Sequence, residues 1–277
     1  MQGFTLVELS IVLVIIGLIV GGVLVGQDLI TAARIRAQIS QIEKYNTAVN
    51  TFRTKYNALP GDMTPDAAAA YGFFTRTGGY GDGDGDGYIA GPMFGTGGSL
   101  LGGETVLFWT DLSAAGLIDG SLSDNSDALV NATTDTQYAA EMPHAKIGNG
   151  NYVYVNGWLY WQIWQGWTRV NGFQIINIKN IGAPASPPGS VVTNPAMTPL
   201  ESFNIDQKID DGLPNSGKVI AMYPDHTFPL GSGAGLEINY WNTASVCVLP
   251  GPPVVYNVGT SGVSTAPNCS LRFNATW

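Results

Sequence analysis

Eighteen consecutive residues without a charge, from Leu9 to Gly26, constrain this chain more than any other feature of its sequence. A run of that length is close to the minimum for a helix that crosses a membrane, and residues 4–7 extend it beyond Glu8. A secretory signal peptide is the competing interpretation, but its apolar core is shorter and a polar mature end follows its cleavage site. Here the run is long and the pattern after it is still helical, which favours a membrane-spanning helix.

The residues after the apolar run continue the same helix. No proline precedes Pro60, so nothing forces a break before it. We therefore predict one helix over residues 4–56, apolar over 4–26 and amphipathic over 27–56, whose second half packs on a globular domain. Its predicted packing stripe recurs every three or four residues and consists of Ile35, Ile39, Ile42, Tyr45, Val49, Phe52 and Tyr56.

The net charge of −9 averages two unlike parts. Residues 1–56 contain five basic and three acidic side chains, whereas residues 57–277 contain seven basic and eighteen acidic ones. No basic patch or nucleic-acid-binding motif is visible, so a nucleic-acid partner is not expected. The apolar share of 45% excludes a disordered chain.

Glu8 is the only charge inside the apolar region, in the segment GFTLVELS from Gly3 to Ser10. This segment resembles the N-terminal signature of type IV pilins and of the pseudopilins of type II secretion. The resemblance implies that a prepilin peptidase cleaves between Gly3 and Phe4 and that Phe4 is then N-methylated. It also implies that Glu8 serves assembly, because a charged amine in an apolar filament core needs a partner carboxylate from a neighbouring subunit.

The resemblance covers about the first 56 residues and implies a structural role. Such a subunit waits in the bacterial inner membrane, and an assembly machine extracts it into a homo-oligomeric filament or one mixed with other pilins. A pilus on the cell surface and a periplasmic type II secretion pseudopilus both fit the motif. Residues 1–3 lack the basic residue usual in family leaders, so we expect a start further upstream or an unusually short leader. The apolar helix also lacks the proline found in many major pilins.

Residues 57–277 are sufficient for one head domain, which we predict to be α+β. N-caps, a capping box at Thr198–Glu201 and glycine stops predict helices near residues 64–74, 104–115 and 199–210. Asn156-Gly157, between two runs rich in aromatic and β-branched residues, predicts a β-hairpin with a type I′ turn. Further strands are expected at residues 173–178, 218–223, 236–241, 254–258 and 271–273. Together they predict an antiparallel sheet packed on the second half of the N-terminal helix, as in pilins.

The sharpest pattern in the head is GDGDGDGYI, from Gly81 to Ile89, which matches the first half of an EF-hand calcium loop. Its twelfth position holds Met93, where an EF-hand has a glutamate, so a later acid must complete the site. The predicted calcium ligands are Asp82, Asp84, Asp86, the carbonyl of Tyr88, and Glu104. A solvated acidic loop is the alternative, but three carboxylates this close repel one another without a cation. Some pseudopilins and pilin-like proteins also carry calcium loops.

A second acidic group lies at the end of the third predicted helix of the head. It consists of Asp206, Asp210 and Asp211, and the first two share a helical face on which like charges repel. These residues could complete the first site or form a second metal site. The alternative is ordinary turn chemistry at the end of a helix.

The remaining residue types point away from catalysis. Cys247 and Cys269 are expected to form a disulfide, since the head would leave the cytoplasm, and similar loops occur in many type IV pilins. Four tryptophans between Trp158 and Trp167 suit either core packing or sugar binding, so a glycan-binding surface protein is the alternative of another class. No nucleophile motif or zinc motif is present, and no enzymatic activity is expected.

Overall fold

The computed structural model describes residues 5–78, 82–90, 93–94, 98–99, 102–122, 135–162, 166–181, 191–222, 247–249, 251–259, 265–275 and 277. The helices among them are α1 (Leu6–Tyr56), α2 (Pro65–Tyr71), α3 (Glu104–Ala114), α4 (Asp135–Glu141) and α5 (Pro199–Ile209). The strands are β1 (Met93–Phe94), β2 (Gly98–Ser99), β3 (Asn151–Gln162), β4 (Gly166–Ile181), β5 (Val191–Asn194), β6 (Val219–Met222), β7 (Val248–Leu249), β8 (Val255–Tyr256) and β9 (Ser270–Asn274). A long helix with an antiparallel sheet makes this an α+β protein.

Helix α1 is unbroken over 51 residues, which corresponds to about 77 Å. It begins with a capping box, in which the Thr5 hydroxyl accepts from the Glu8 backbone N–H and the Glu8 carboxylate accepts from the Thr5 backbone N–H. It ends at Asn57, which adopts the left-handed conformation (φ 55°) and turns the chain into the head. The predicted processing site, Gly3 and Phe4, lies outside the described residues.

The two halves of α1 have opposite surroundings. From Leu6 to Ile30 the large apolar side chains are exposed, and this stretch is long and apolar enough to cross a membrane. From Ile35 to Phe52 the predicted stripe is the face that packs on the head, with Val49 and Phe52 fully buried. Each such fully buried apolar side chain contributes about 1.5–3 kcal/mol.

Two buried glutamines fix the register of α1 on the head. The Gln41 amide donates to the His144 carbonyl (2.8 Å) and accepts from the Lys146 N–H (2.9 Å). The Gln38 Oε1 accepts from the Ile147 N–H (2.9 Å). A shift along the helix would leave these buried polar groups unpaired, so they position the head at one height on α1, which we call the stalk.

The sheet is antiparallel, with the strand order β3-β4-β9-β6 and with β5 paired to the end of β4. Its face towards the helices carries Phe173, whose ring lies 5.9 Å from those of Trp109 on α3 and Tyr45 on α1. Trp277 stacks on Phe108 of the same core. The core therefore lies between this sheet face and helices α1 and α3.

The predicted turn at Asn156-Gly157 is wrong, because both residues lie inside strand β3, paired with Gly172 and Asn171 of β4. The hairpin joins β3 to β4 through residues 163–165, which are outside the described residues. Gly157 occurs here because its N–H donates to the Ile89 carbonyl, and a Cβ would lie 3.1 Å from the Ile89 backbone. Close approach of another segment explains this glycine.

The remaining predictions of secondary structure are largely confirmed. Helix α5 begins with the predicted capping box at Thr198, and the strands predicted near residues 218–223, 254–258 and 271–273 are β6, β8 and β9. The strand predicted at 236–241 lies outside the described residues. Cys247 and Cys269 form the expected disulfide and link the β7–β8 hairpin to the start of β9.

Candidate metal centre

Three segments that are distant in sequence meet beside the carboxyl end of α1: the turn of residues 57–62, the loop of residues 82–90, and the first turn of α3. Asp62 from the turn and Asp84 and Asp86 from the loop have carboxylate oxygens within 4.8 Å of one another. We call these three residues the loop cluster. The turn that leaves the stalk thus contributes a carboxylate to the glycine-rich loop.

A buried ion pair positions Asp62. Arg76 and Asp111 of α3 have fully buried side chains and form a bidentate pair, with N–O distances of 2.8 and 3.1 Å. The same pair holds Gly61, since Arg76 donates to its carbonyl and Asp111 accepts from its N–H. Gly61 has φ +84°, and a Cβ there would lie 2.5 Å from the Glu104 carbonyl, so only glycine brings the turn this close to α3.

The loop curls around its own carboxylates. The Asp84 side chain accepts from the Asp86 N–H (3.0 Å), and the Asp86 side chain accepts from the Tyr88 N–H (2.8 Å). Asp62 reaches across from the turn and accepts from the N–H groups of Gly85 (2.7 Å) and Gly87 (2.8 Å). Alternating Asp and Gly therefore permit a tight loop whose oxygens converge.

Glu104, predicted to complete the site, lies buried under the same loop. Its Oε1 accepts from the N–H groups of Gly83 (2.9 Å) and Asp84 (3.3 Å), and its Oε2 accepts from that of Ala90 (2.7 Å). Glu104 thereby fixes both ends of the loop to α3. Its carboxylate is an electrostatic neighbour of Asp62 and Asp84.

Burial and the crowding of acids raise the pKa of two of these carboxyl groups. Burial raises the pKa of Asp62 to about 7, and the nearby charges of Asp86 and Asp84 raise it further against the N–H bonds that lower it. Burial also raises the pKa of Glu104 to about 8, with Asp62 and Asp84 adding to the effect. Among the described residues Arg76 forms an ion pair only with Asp111, so it does not neutralise the cluster. These carboxylates would ionise more readily beside a bound cation.

Asp82 has a partner other than the predicted ion, whereas the Tyr88 carbonyl stays a predicted ligand. Asp82 is not a member of the loop cluster, and its Oδ2 accepts from the backbone N–H and the hydroxyl of Thr77 (2.7 and 2.5 Å). Tyr88 follows Asp86 and donates its N–H to it. The EF-hand pattern suggested the first aspartate of the run, whereas the fold brings in Asp62, twenty residues earlier.

The donor set of the loop cluster consists of hard oxygen atoms, which Ca²⁺ and Mg²⁺ prefer to softer ligands. Close carboxylates of like charge, among which Asp62 has a raised pKa, fit a divalent cation, because a bound cation attracts each of them and offsets their mutual repulsion. The loop cluster can therefore hold a metal ion, with Asp62, Asp84 and Asp86 as the ligating side chains.

A second group of close carboxylates lies at the carboxyl end of α5: Asp206, Asp210 and Asp211, here called the helix-end cluster. Asp206 is fully buried and accepts from the Tyr256 hydroxyl (2.7 Å) and the Gly212 N–H (3.2 Å). Burial raises the pKa of Asp206 to about 6. This group can also hold an ion, but most of its oxygens have partners within the fold.

The other two members of the helix-end cluster bind the turn that follows α5. Asp210 accepts from the N–H groups of Lys218 and Val219, and Asp211 accepts from the Leu213 N–H (2.8 Å) and the Ser216 hydroxyl (2.6 Å). These bonds are the turn chemistry that the sequence offered as the alternative to a metal site.

The side chains of residues 158–169, including the tryptophans considered for sugar binding, lie outside the described part of the structure. Comparison of the chain with protein-family models, with curated proteins and with solved structures found no match.

Proposed function

We propose that this chain is a structural subunit of a type IV pilus-like extracellular filament, assembled through its N-terminal helix and without a catalytic reaction of its own. In this proposal a prepilin peptidase cleaves after Gly3, Phe4 is N-methylated, and the subunit moves from the bacterial inner membrane into the filament. A periplasmic pseudopilus of type II secretion is the alternative, and it uses the same assembly chemistry.

The observation that carries the proposal is the contrast between the two halves of one continuous helix. Residues 35–52 bury one face in the head, whereas the large apolar side chains of Leu6–Ile30 are exposed. An apolar surface of that length needs lipid or other apolar helices around it. A subunit stored in a membrane and later packed helix against helix meets this need in both states.

Glu8 supports the same role. The Glu8 carboxylate already accepts from the backbone N–H and the hydroxyl of Thr5 (2.8 and 2.9 Å), so its position at the start of the helix is fixed before assembly. In a packed bundle of apolar helices a fixed carboxylate can select one axial register, because a slipped neighbour would leave it unpaired.

We further propose that the ion in the loop cluster is calcium. The set of acidic oxygens around the glycine-rich loop suits the larger, more irregular coordination shell of calcium better than the strict octahedron of magnesium. Asp62, Asp84 and Asp86 would ligate it, and Glu104 would hold the loop in place. The ion would join the turn after α1 to the head, and so stabilise the junction of stalk and head.

Electron microscopy of sheared surface material, with antibody labelling of the head, tests the filament proposal. We expect labelled filaments from the wild-type chain and their loss from Glu8→Val, because the apolar core would lose its register-setting charge. Thr5→Val is the matched control: it removes the hydroxyl but keeps Glu8, and we expect it to reduce filament yield less.

Absence of the wild-type protein from any filament, together with unchanged behaviour of Glu8→Val, would contradict the proposal. Labelled filaments recovered only from the periplasmic fraction would favour the pseudopilus alternative.

A further inference from the structure

The side of α1 that faces away from its own head is basic. Between Ile35 and Tyr56 the exposed charged residues are Arg36, Glu43, Lys44, Arg53 and Lys55. Within the described residues the single ion pair is Arg76–Asp111, so the four cations among them have no described acidic partner. We call the exposed side chains of residues 36–55 the outer face of α1.

This face cannot be neutralised by the same face of another copy. It carries four basic residues and one acid, so two such faces side by side repel each other. Charges brought together without partners and away from water are strongly unfavourable. Any assembly that brings these helices together therefore needs carboxylates from elsewhere in the chain.

The proposed filament brings them together. If the apolar halves of α1 pack around a common axis, the continuing halves lie side by side just beyond that bundle. Each head covers one side of its own α1, so the outer face of that helix is turned towards other copies. The surfaces that meet it there belong to other stalks or to other heads.

The heads carry the complementary charge. Residues 57–277 contain eighteen acids against seven basic residues. Several described acids already have a role: Asp84 and Asp86 lie in the loop cluster, and Asp211 holds its own turn. Asp66 on α2 and Asp119 after α3 are exposed and accept no hydrogen bond from another described residue.

We infer that the outer face of α1 in one copy, centred on Arg36 and Lys44, docks against the acidic heads of other copies, with Asp66 and Asp119 as participating carboxylates. This inference rests on the proposed filament and names the surfaces that meet in it. Apolar packing of the stalks supplies most of the cohesion, and the charge pairs select which lateral arrangement forms.

Charge reversal in the full-length protein tests the interface. Arg36→Glu with Lys44→Glu turns the centre of the outer face acidic, and we expect the ratio of sheared filament to membrane-stored subunit to fall about tenfold. The control Arg36→Lys with Lys44→Arg keeps both charges, and we expect a wild-type ratio. Both sites are exposed, so an unchanged level of membrane-stored subunit checks that the variants fold.

A charge swap identifies the partner. Adding Asp66→Lys and Asp119→Lys to the double variant exchanges the signs of both surfaces, and we expect filament yield to recover. In the wild type, raising the salt from about 0.1 M to 1 M should shorten filaments, because the screening length falls from about 10 Å to 3 Å.

The outcomes separate the inference from the proposed function. If the wild type forms no filament, the proposed function fails. If the wild type forms filaments and Arg36→Glu with Lys44→Glu forms them equally well, the interface is wrong while the filament stands. If the variant that carries all four substitutions does not recover filament yield, Asp66 and Asp119 are not the partners and the assignment is overturned.

Discussion

The loop cluster and the helix-end cluster each bring three aspartates within 4.8 Å, yet their surroundings differ. In the helix-end cluster a tyrosine hydroxyl, a serine hydroxyl and several backbone N–H groups contact the carboxylates. In the loop cluster the donors are N–H groups of the glycine-rich loop, and buried Glu104 adds a further negative charge. Proximity of carboxylates and backbone donors are therefore common to both clusters, and the additional buried acid, Glu104, is what distinguishes the loop cluster.

The two clusters also differ in their support. A fully buried ion pair, Arg76–Asp111, holds Gly61 next to Asp62, and thereby fixes the loop cluster from outside. The helix-end cluster is built mainly from one stretch of chain, with Tyr256 as its distant contact. We therefore expect the loop cluster to be the more sensitive to distant mutations and to calcium.

Arg76→Met should have the largest effect. It leaves Asp111 buried without its partner, and burial already raises the pKa of that carboxyl, so we expect a loss of about 3–5 kcal/mol of unfolding free energy. Urea unfolding of the detergent-solubilised full-length protein measures it. Lys208→Met, beside the helix-end cluster but exposed, is the control and should cost less than about 0.5 kcal/mol. Equal stability of the two variants would show that the ion pair does not support the head.

Calcium should stabilise the head through the loop cluster alone. At a concentration of about 100 times Kd it should add about 2.7 kcal/mol, which raises Tm by roughly 5–10 °C, and EGTA should reverse the shift. Asp62→Asn and Asp84→Ala should abolish the shift, because each removes a ligating carboxylate. Asp206→Asn should keep it. A shift that survives Asp62→Asn but disappears in Asp206→Asn would show that calcium binds the helix-end cluster and would contradict the prediction.

The pH dependence of the two clusters should also differ. Because the pKa values of Asp62 and Glu104 are raised to about 7 and 8, the ion-free folded head keeps protons that the unfolded chain has released. Its stability should therefore fall as the pH rises from about 4 to 8. Calcium must displace these protons, so its affinity should rise with pH, by about tenfold per unit below pH 7 for each proton released.

Isothermal titration at pH 6, 7 and 8 measures this affinity. The raised pKa of Asp206, about 6, should affect stability below that range and independently of calcium. A calcium affinity that does not change between pH 6 and pH 8 would contradict the protonation of the loop cluster.

Asp211→Ala should have the smallest effect. It removes two acceptor contacts on an exposed turn, to the Leu213 N–H and the Ser216 hydroxyl, at a cost of about 1 kcal/mol. The cost should be the same with calcium and with EGTA. Ser216→Ala removes one of the same contacts and serves as the reference. A calcium-dependent cost would instead make the helix-end cluster a second metal site.

Local patterns predicted four of the five described helices, all but α4, because the signals of those four lie within a few residues of one another. The stripe from Ile35 to Phe52 and the capping box at Thr198 appear in the structure as the sequence indicates. Asn156-Gly157 shows the limit of such patterns, since the same dipeptide suits a tight turn and a strand crossed closely by another backbone. The contact with Ile89, nearly seventy residues away, decides between them.

The candidate site was predicted only in part, because contacts between distant segments leave little signal in the sequence. The glycine-aspartate run marked the loop, and Glu104 indeed lies under it, but Asp62 looked like a turn residue after the stalk. A signal for it was present in Gly61-Asp62, where a glycine precedes an acid at a helix exit. Nothing within the sequence connected that acid to a loop twenty residues later.

The sequence by itself determined the long apolar helix, the amphipathic continuation, the charge contrast between stalk and head, and the single pairing open to two cysteines. The helix follows from the periodicity of nearby residues, and the charge contrast follows from composition alone. Two cysteines can form one intramolecular disulfide and no other. Only the tertiary structure decided that Asp62 joins Asp84 and Asp86. It also decided that Asp82 accepts hydrogen bonds from Thr77 instead. The same holds for the buried pair of Arg76 and Asp111, which fixes the turn between stalk and head. Each of those choices depends on which distant segments pack together in the core, and on which buried charges then find a partner.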